Sequence, residues 1–164
     1  MIVWQERRLM SALPQAIIRS LREKFADRLV AVAMFGSAAR GEAGDRSDLD
    51  FLVVVRGIPK TLERRYEVYK PIHDAIATQS ARARDLTVID LDEEFIENDD
   101  AEITSLMLNI ASDADIIYDP DGKLASFLAR VRKLIAAAGL ERYRTRDGKY
   151  GWKPKDGVLR AVEA

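Results

Sequence analysis

Two short apolar runs decide most of what this chain can fold into. LVAVAMF occupies residues 29 to 35 and DLDFLVVV residues 48 to 55, with a dozen residues between them. Both are short, apolar and rich in β-branched residues, so each predicts a strand. So compact a connection suits antiparallel neighbours. Along the second run, Leu49, Phe51, Val53 and Val55 take one face, and Asp48, Asp50, Leu52 and Val54 take the other. Two carboxylates therefore share a face at the start of that strand, with Cα atoms roughly 6.5–7 Å apart.

The remaining elements follow from apolar spacing. Leu13, Ile17, Leu21 and Phe25 predict a helix over residues 11 to 27, with Pro14 near its start, where the missing N–H costs little. Residues 60 to 80 read as a helix through Leu62, Tyr66, Tyr69, His73 and Ile76, with a kink or break expected at Pro71. A third strand is expected from Asp85 to Asp90, a short helix through Ile103, Leu106, Met107 and Ile110, and a brief fourth strand from Asp115 to Tyr118. After the turn Asp119-Pro120-Asp121-Gly122, a helix carries Leu124, Phe127, Leu128, Val131, Leu134 and Ile135 on one face and ends at Gly139. The helical crossover between the second and third strands makes them parallel. The expected fold is α/β (α+β): a small mixed sheet flanked by helices. The domain is expected over residues 1–140. The polar, basic tail at 141–164 interleaves Tyr and Trp without clear periodicity and is expected to be solvated.

Composition narrows the function. Across 164 residues, 26 Lys and Arg face 27 Asp and Glu, which argues against a nonspecific nucleic-acid binder. There is no cysteine and a single histidine, His73. Disulfides, thiolate chemistry and multi-histidine metal centres are closed. No apolar run approaches a membrane span and the N-terminus lacks signal-peptide order, so a cytoplasmic location is the expectation.

The expected topology brings chemistry together. The end of the first strand (Gly36, Ser37) falls beside the start of the second (Asp48, Asp50), and the start of the third (Asp85) lies at the same edge. Carboxylates so close repel unless a cation sits between them, and Mg²⁺ suits one or two carboxylates plus water and phosphate oxygens. A third carboxylate would allow a two-metal site with ions about 3.5–4 Å apart. Gly36 permits close approach of backbone to phosphate. Ser37 offers its hydroxyl and nearby N–H groups. Arg40 can pair with a phosphate, or with its neighbour Glu42. An EF-hand fails because Leu49 stands where an oxygen ligand is needed, and a P-loop fails because no Gly-Lys-Ser/Thr follows.

The run from Gly36-Ser37 through ten residues to Asp48-Leu49-Asp50 resembles the signature of the nucleotidyltransferase superfamily that includes DNA polymerase β. The stretch GSAARGEAGDRSDLDFLVVV looks most like the minimal nucleotidyltransferases of prokaryotes. RDLTVIDLDEEF is similar to their third-carboxylate strand, and IIYDPDGKLASFLARVRKLI and KPKDG are also similar to stand-alone members. The resemblance implies transfer of a nucleoside monophosphate from ATP or another nucleoside triphosphate to a hydroxyl, with pyrophosphate leaving. Gly36 and Ser37 would hold the triphosphate, Asp48 and Asp50 the metals, and Asp85 would be the third carboxylate. The family often has an apolar residue before that Asp, whereas Arg84 stands here, which keeps Asp90 as a second candidate. Minimal members are often paired with a HEPN-type helical partner, as antitoxin to toxin, adenylylating a tyrosine. A partner of that kind, or a homo-oligomer, is expected to complete the site. The rival expectations are a non-catalytic binding module on the same fold and an aminoglycoside-type small-molecule transferase.

Overall fold

The computed structural model describes residues 2–42, 47–59, 61–79 and 85–157. The two apolar runs form β1 (Leu29–Phe35) and β2 (Leu49–Val55), paired antiparallel with Phe35 opposite Asp50. β3 (Leu86–Asp92) lies parallel to β2, and β4 (Asp115–Tyr118) lies antiparallel to β1. The order β3-β2-β1-β4 is a mixed sheet with both expected pairings in place.

Helices cover both faces of the sheet. α1 (Ile2–Phe25) and α3 (Leu62–Gln79) pack on one side, where Ile17, Leu21, Val68 and Ile72 meet Val32, Leu49, Phe51 and Val53. The single-turn α2 (Gly36–Ala39) follows β1 directly. On the other side, α4 (Glu93–Glu97), α5 (Ser105–Asp113) and α6 (Lys123–Ala137) cover Ala33, Phe35, Leu52 and Val54 with Ile110, Leu124, Phe127 and Leu128. Each fully buried Leu, Ile, Val or Phe contributes about 1.5–3 kcal/mol, so these two layers dominate folding. Among the described residues, no helix is long and apolar enough to cross a membrane.

Three expectations need correction. The first helix starts at Ile2, so Pro14 lies in its interior. That costs a backbone hydrogen bond, but Leu13, Ile17 and Leu21 are buried on either side of the proline and hold the helix on the sheet. α3 runs through Pro71 without the break that was one of the two expectations there, and the Pro71 carbonyl accepts a 2.9 Å bond from the Ser20 hydroxyl of α1. The buried face of α3 is Val68, Ile72, Ala75 and Ile76, whereas Leu62, Tyr66 and His73 are exposed. Small and branched residues allow α3 to approach the sheet; the aromatic stripe faces outward, with His73 stacked 5.7 Å from Tyr69.

The tail is also more ordered than expected. β5 (Leu140–Arg144) and β6 (Tyr150–Pro154) form an antiparallel hairpin, and Trp152 Nε1 donates to Asn109 Oδ1 of α5 at 2.9 Å. The turn signal is Asp147-Gly148, with Gly148 at φ +81°, flanked by residues of alternating polarity.

Candidate active site

The β1–β2 register sets the site. Because Phe35 pairs with Asp50, the next residue, Gly36, lies against the Asp50 side chain. A Cβ on Gly36 would stand 3.0 Å from Asp50 Cγ and nearer still to its Oδ2. Gly36 also has φ +71°, a left-handed conformation that other residues adopt at a cost. The turn closes through Arg40 N–H to Gly36 O and Glu42 N–H to Ser37 O, at 3.2 and 3.0 Å. α2 starts at Gly36, so Ser37 and Ala38 belong to its first turn, whose N–H groups have no acceptor inside the helix.

Asp50 is half-buried and Asp48 exposed, both on the α5 face of the sheet. Burial pushes the Asp50 carboxyl above the usual carboxylate range, and the Asp48 charge pushes the same way. A hydrogen bond from Thr87 and the positive charge of Arg40 oppose that rise. Thr87 pairs with Asp50 in the parallel β2–β3 register. Sequence reasoning missed it; only the register, which fixes who stands opposite whom, identifies it.

The register also separates the two candidates for a third carboxylate. Leu49 pairs with Leu86 and Asp50 with Thr87, so strand alternation puts Asp85 on the Asp48 and Asp50 face. Asp85 is exposed, and its carbonyl accepts a 2.9 Å bond from Leu49 N–H. Asp90 shares a face with Leu86 and Val88, on the α1 and α3 side, and is ion-paired with Arg64 of α3. It is turned away from the Asp48–Asp50 pair.

Arg40 sits close enough to bear on Asp50 but is already engaged. Its Nε donates to Glu42 Oε2 at 2.9 Å and its Nη1 to Asp113 Oδ2 at 2.6 Å. The expected alternative partner, Glu42, is thus present, and Asp113 adds a second one that nothing in local sequence announces.

A divalent cation fits this chemistry. Two like charges share a face, one of them held above its normal pKa by burial and by the other, and a cation relieves both costs. Among the described residues, no group of three His, Cys, Asp or Glu side chains is gathered to hold a metal, so the expected three-carboxylate, two-metal cluster of Asp48, Asp50 and Asp85 is not assembled. Mg²⁺, which takes one or two carboxylates and completes its shell with water and phosphate, suits the Asp48–Asp50 pair. A groove of about 430 Å³ between α1 and α3, lined by Ser20, Tyr66, Lys70 and Asp74 among others, contains none of these residues.

Known proteins share this fold and part of this sequence. A protein named "Putative protein adenylyltransferase" from Methanocaldococcus jannaschii is 28% identical over 133 residues, covering 79% of this chain and 86% of its own. The fold is similar to a chain in the structure of a tri-AMPylated Shewanella oneidensis HEPN toxin in complex with MNT antitoxin. The TM-score is 0.52 at 16% identity, over 77% of this chain and 87% of that one. It is also similar to spectinomycin adenyltransferase from Enterococcus faecialis, solved with ATP and spectinomycin. There the TM-score is 0.53 at 18% identity, over 79% of this chain and 65% of that one. The family model for the nucleotidyltransferase domain matches residues 15–106, more than half of the chain, and spans the turn at Gly36, the carboxylate pair and Asp85. The chain is a transferase and belongs to the nucleotidyltransferase domain family.

Proposed function

We propose that this chain transfers AMP from ATP to a hydroxyl group of a protein acceptor, with Mg²⁺ as the required cation. The observation that carries the reading is the Gly36–Asp50 contact, in which a glycine turn lies against one member of a carboxylate pair. The relative named as a protein adenylyltransferase supports a protein acceptor. The complex containing an AMPylated HEPN toxin supports a partner of that type, with this chain in the antitoxin role.

In this reading Gly36 and Ser37 bind the triphosphate through backbone N–H groups and the Ser37 hydroxyl. Asp48 and Asp50 would hold Mg²⁺, which when bound neutralises charge on the phosphate chain. Asp85, exposed on the same face, takes the proton of the acceptor hydroxyl. The bond from that oxygen to the α-phosphorus forms, the bond from the α-phosphorus to the bridging oxygen breaks, and pyrophosphate leaves.

The test is labelling from ATP carrying ³²P at the α-phosphate, with a co-expressed HEPN-type partner, spectinomycin or lysate proteins as acceptors. Label on the partner supports the reading. Label on spectinomycin alone overturns the protein acceptor, and label from GTP, CTP or UTP in preference to ATP overturns the choice of nucleotide.

A further inference from the structure

Asp113 ends α5, outside residues 15–106 matched by the family model, and its side chain is 6% exposed. It receives Arg40 from the α2 turn at 2.6 Å and, through both oxygens, Arg142 from β5 at 2.6 and 2.7 Å. The Tyr150 ring of β6 lies under both guanidinium groups, 3.7 Å from Arg142 and 4.8 Å from Arg40. Arg142 Nε is buried without a hydrogen-bond partner.

As a mere fastening for the hairpin, this arrangement is poor. Two guanidiniums share one buried carboxylate, and an apolar cluster of similar volume would hold a hairpin as well or better. What the charges accomplish, and apolar packing would not, is to fix the direction of the Arg40 side chain. An arginine already held in place loses less freedom when it meets a phosphate.

We propose that Asp113 and Arg142 are positioning residues for the nucleotide site, orienting Arg40 toward a bound triphosphate, so that the C-terminal hairpin is a working part of the transferase. The proposal rests on the reading of the Gly36–Arg40 turn as the triphosphate-binding segment. Arg142 and Tyr150 brace Asp113 and Arg40; of these four, only Arg40 would touch the phosphate.

Calorimetric titration of the full chain with a non-hydrolysable ATP analogue and Mg²⁺ tests this without requiring an acceptor. Asp113→Asn and Arg142→Met should each weaken binding about tenfold, as expected for a charge-assisted contact acting through one neighbour. Arg142→Lys should recover part of that loss, and Lys149→Ala, at the exposed hairpin turn, should bind as wild type. Trp152 emission, read in a Trp4→Phe background, reports whether the hairpin stays docked in each variant. The decisive comparison is Asp113→Asn in an Arg40→Ala background, where no further loss is expected. Equal loss in both backgrounds, or wild-type binding by Asp113→Asn and Arg142→Met, would overturn the inference alone. No binding by the wild-type chain would overturn the nucleotide-site reading beneath it.

Discussion

Gly36 and Asp50 are in van der Waals contact range across the β1–β2 pair, with no room between them for a methyl group. The Gly36 turn and the carboxylate pair are therefore tied together through adjacent strands in the middle of the sheet.

Gly36→Ala should lose both activity and stability. Left-handed backbone strain costs roughly 1–2 kcal/mol, and the new methyl must displace the Asp50 carboxyl. Gly41→Ala carries the same positive φ with open space around it, so it should lose stability alone. Thermal melts and pyrophosphate release, measured side by side, separate the two effects.

Asp48→Asn and Asp50→Asn should melt higher than wild type without divalent cation at neutral pH. The Asp50 carboxyl is raised by burial and by Asp48, so its ionised form destabilises the fold, and removing either charge relieves that. Both should lack transferase activity, and Mg²⁺ should raise the wild-type melting temperature but not theirs.

Asp85→Asn should abolish transfer with little change in melting, since its side chain is exposed. Asp90→Asn should do the reverse. Its ion pair with Arg64 is largely buried, and breaking such a pair costs about 3–5 kcal/mol, while the site lies on the opposite face. Loss of activity in a folded Asp90→Asn would contradict the assignment of faces.

Much of this was legible from residue order. Strand alternation placed Asp48 and Asp50 on one face, and connection lengths gave the correct pairing of β1, β2 and β3. Other features depended on packing that no local pattern encodes. The buried face of α3 was misread because Tyr66 and Tyr69 made a better apolar stripe than Val68, Ile72 and Ala75, while the sheet selected the smaller residues. Thr87 and Asp113 reach the site only through register and through the docking of α5, separated by tens of residues from the groups they touch. The hairpin did have a local signal, Asp147-Gly148, which was masked by the basic character of the tail.

Acid stability offers a check remote from the site. Hydrogen bonds from Arg56 and Lys123, at 2.5 and 2.6 Å, hold the buried Glu93 carboxyl down to about 2 despite its burial. A depressed carboxylate stabilises the fold above its unfolded pKa, near 4.5, and that contribution is lost as pH falls toward 2. Denaturant unfolding should therefore show wild-type stability declining across that window, with Glu93→Gln less stable at neutral pH and flatter below 4.5.

The most direct test of the central claim is Mg²⁺-dependent pyrophosphate release from ATP in the presence of the acceptor, by wild type, Asp48→Ala and Asp50→Ala. The account predicts release by wild type that both substitutions remove while the proteins remain folded. Undiminished release in either folded variant would contradict the assignment of the carboxylate pair as the catalytic centre.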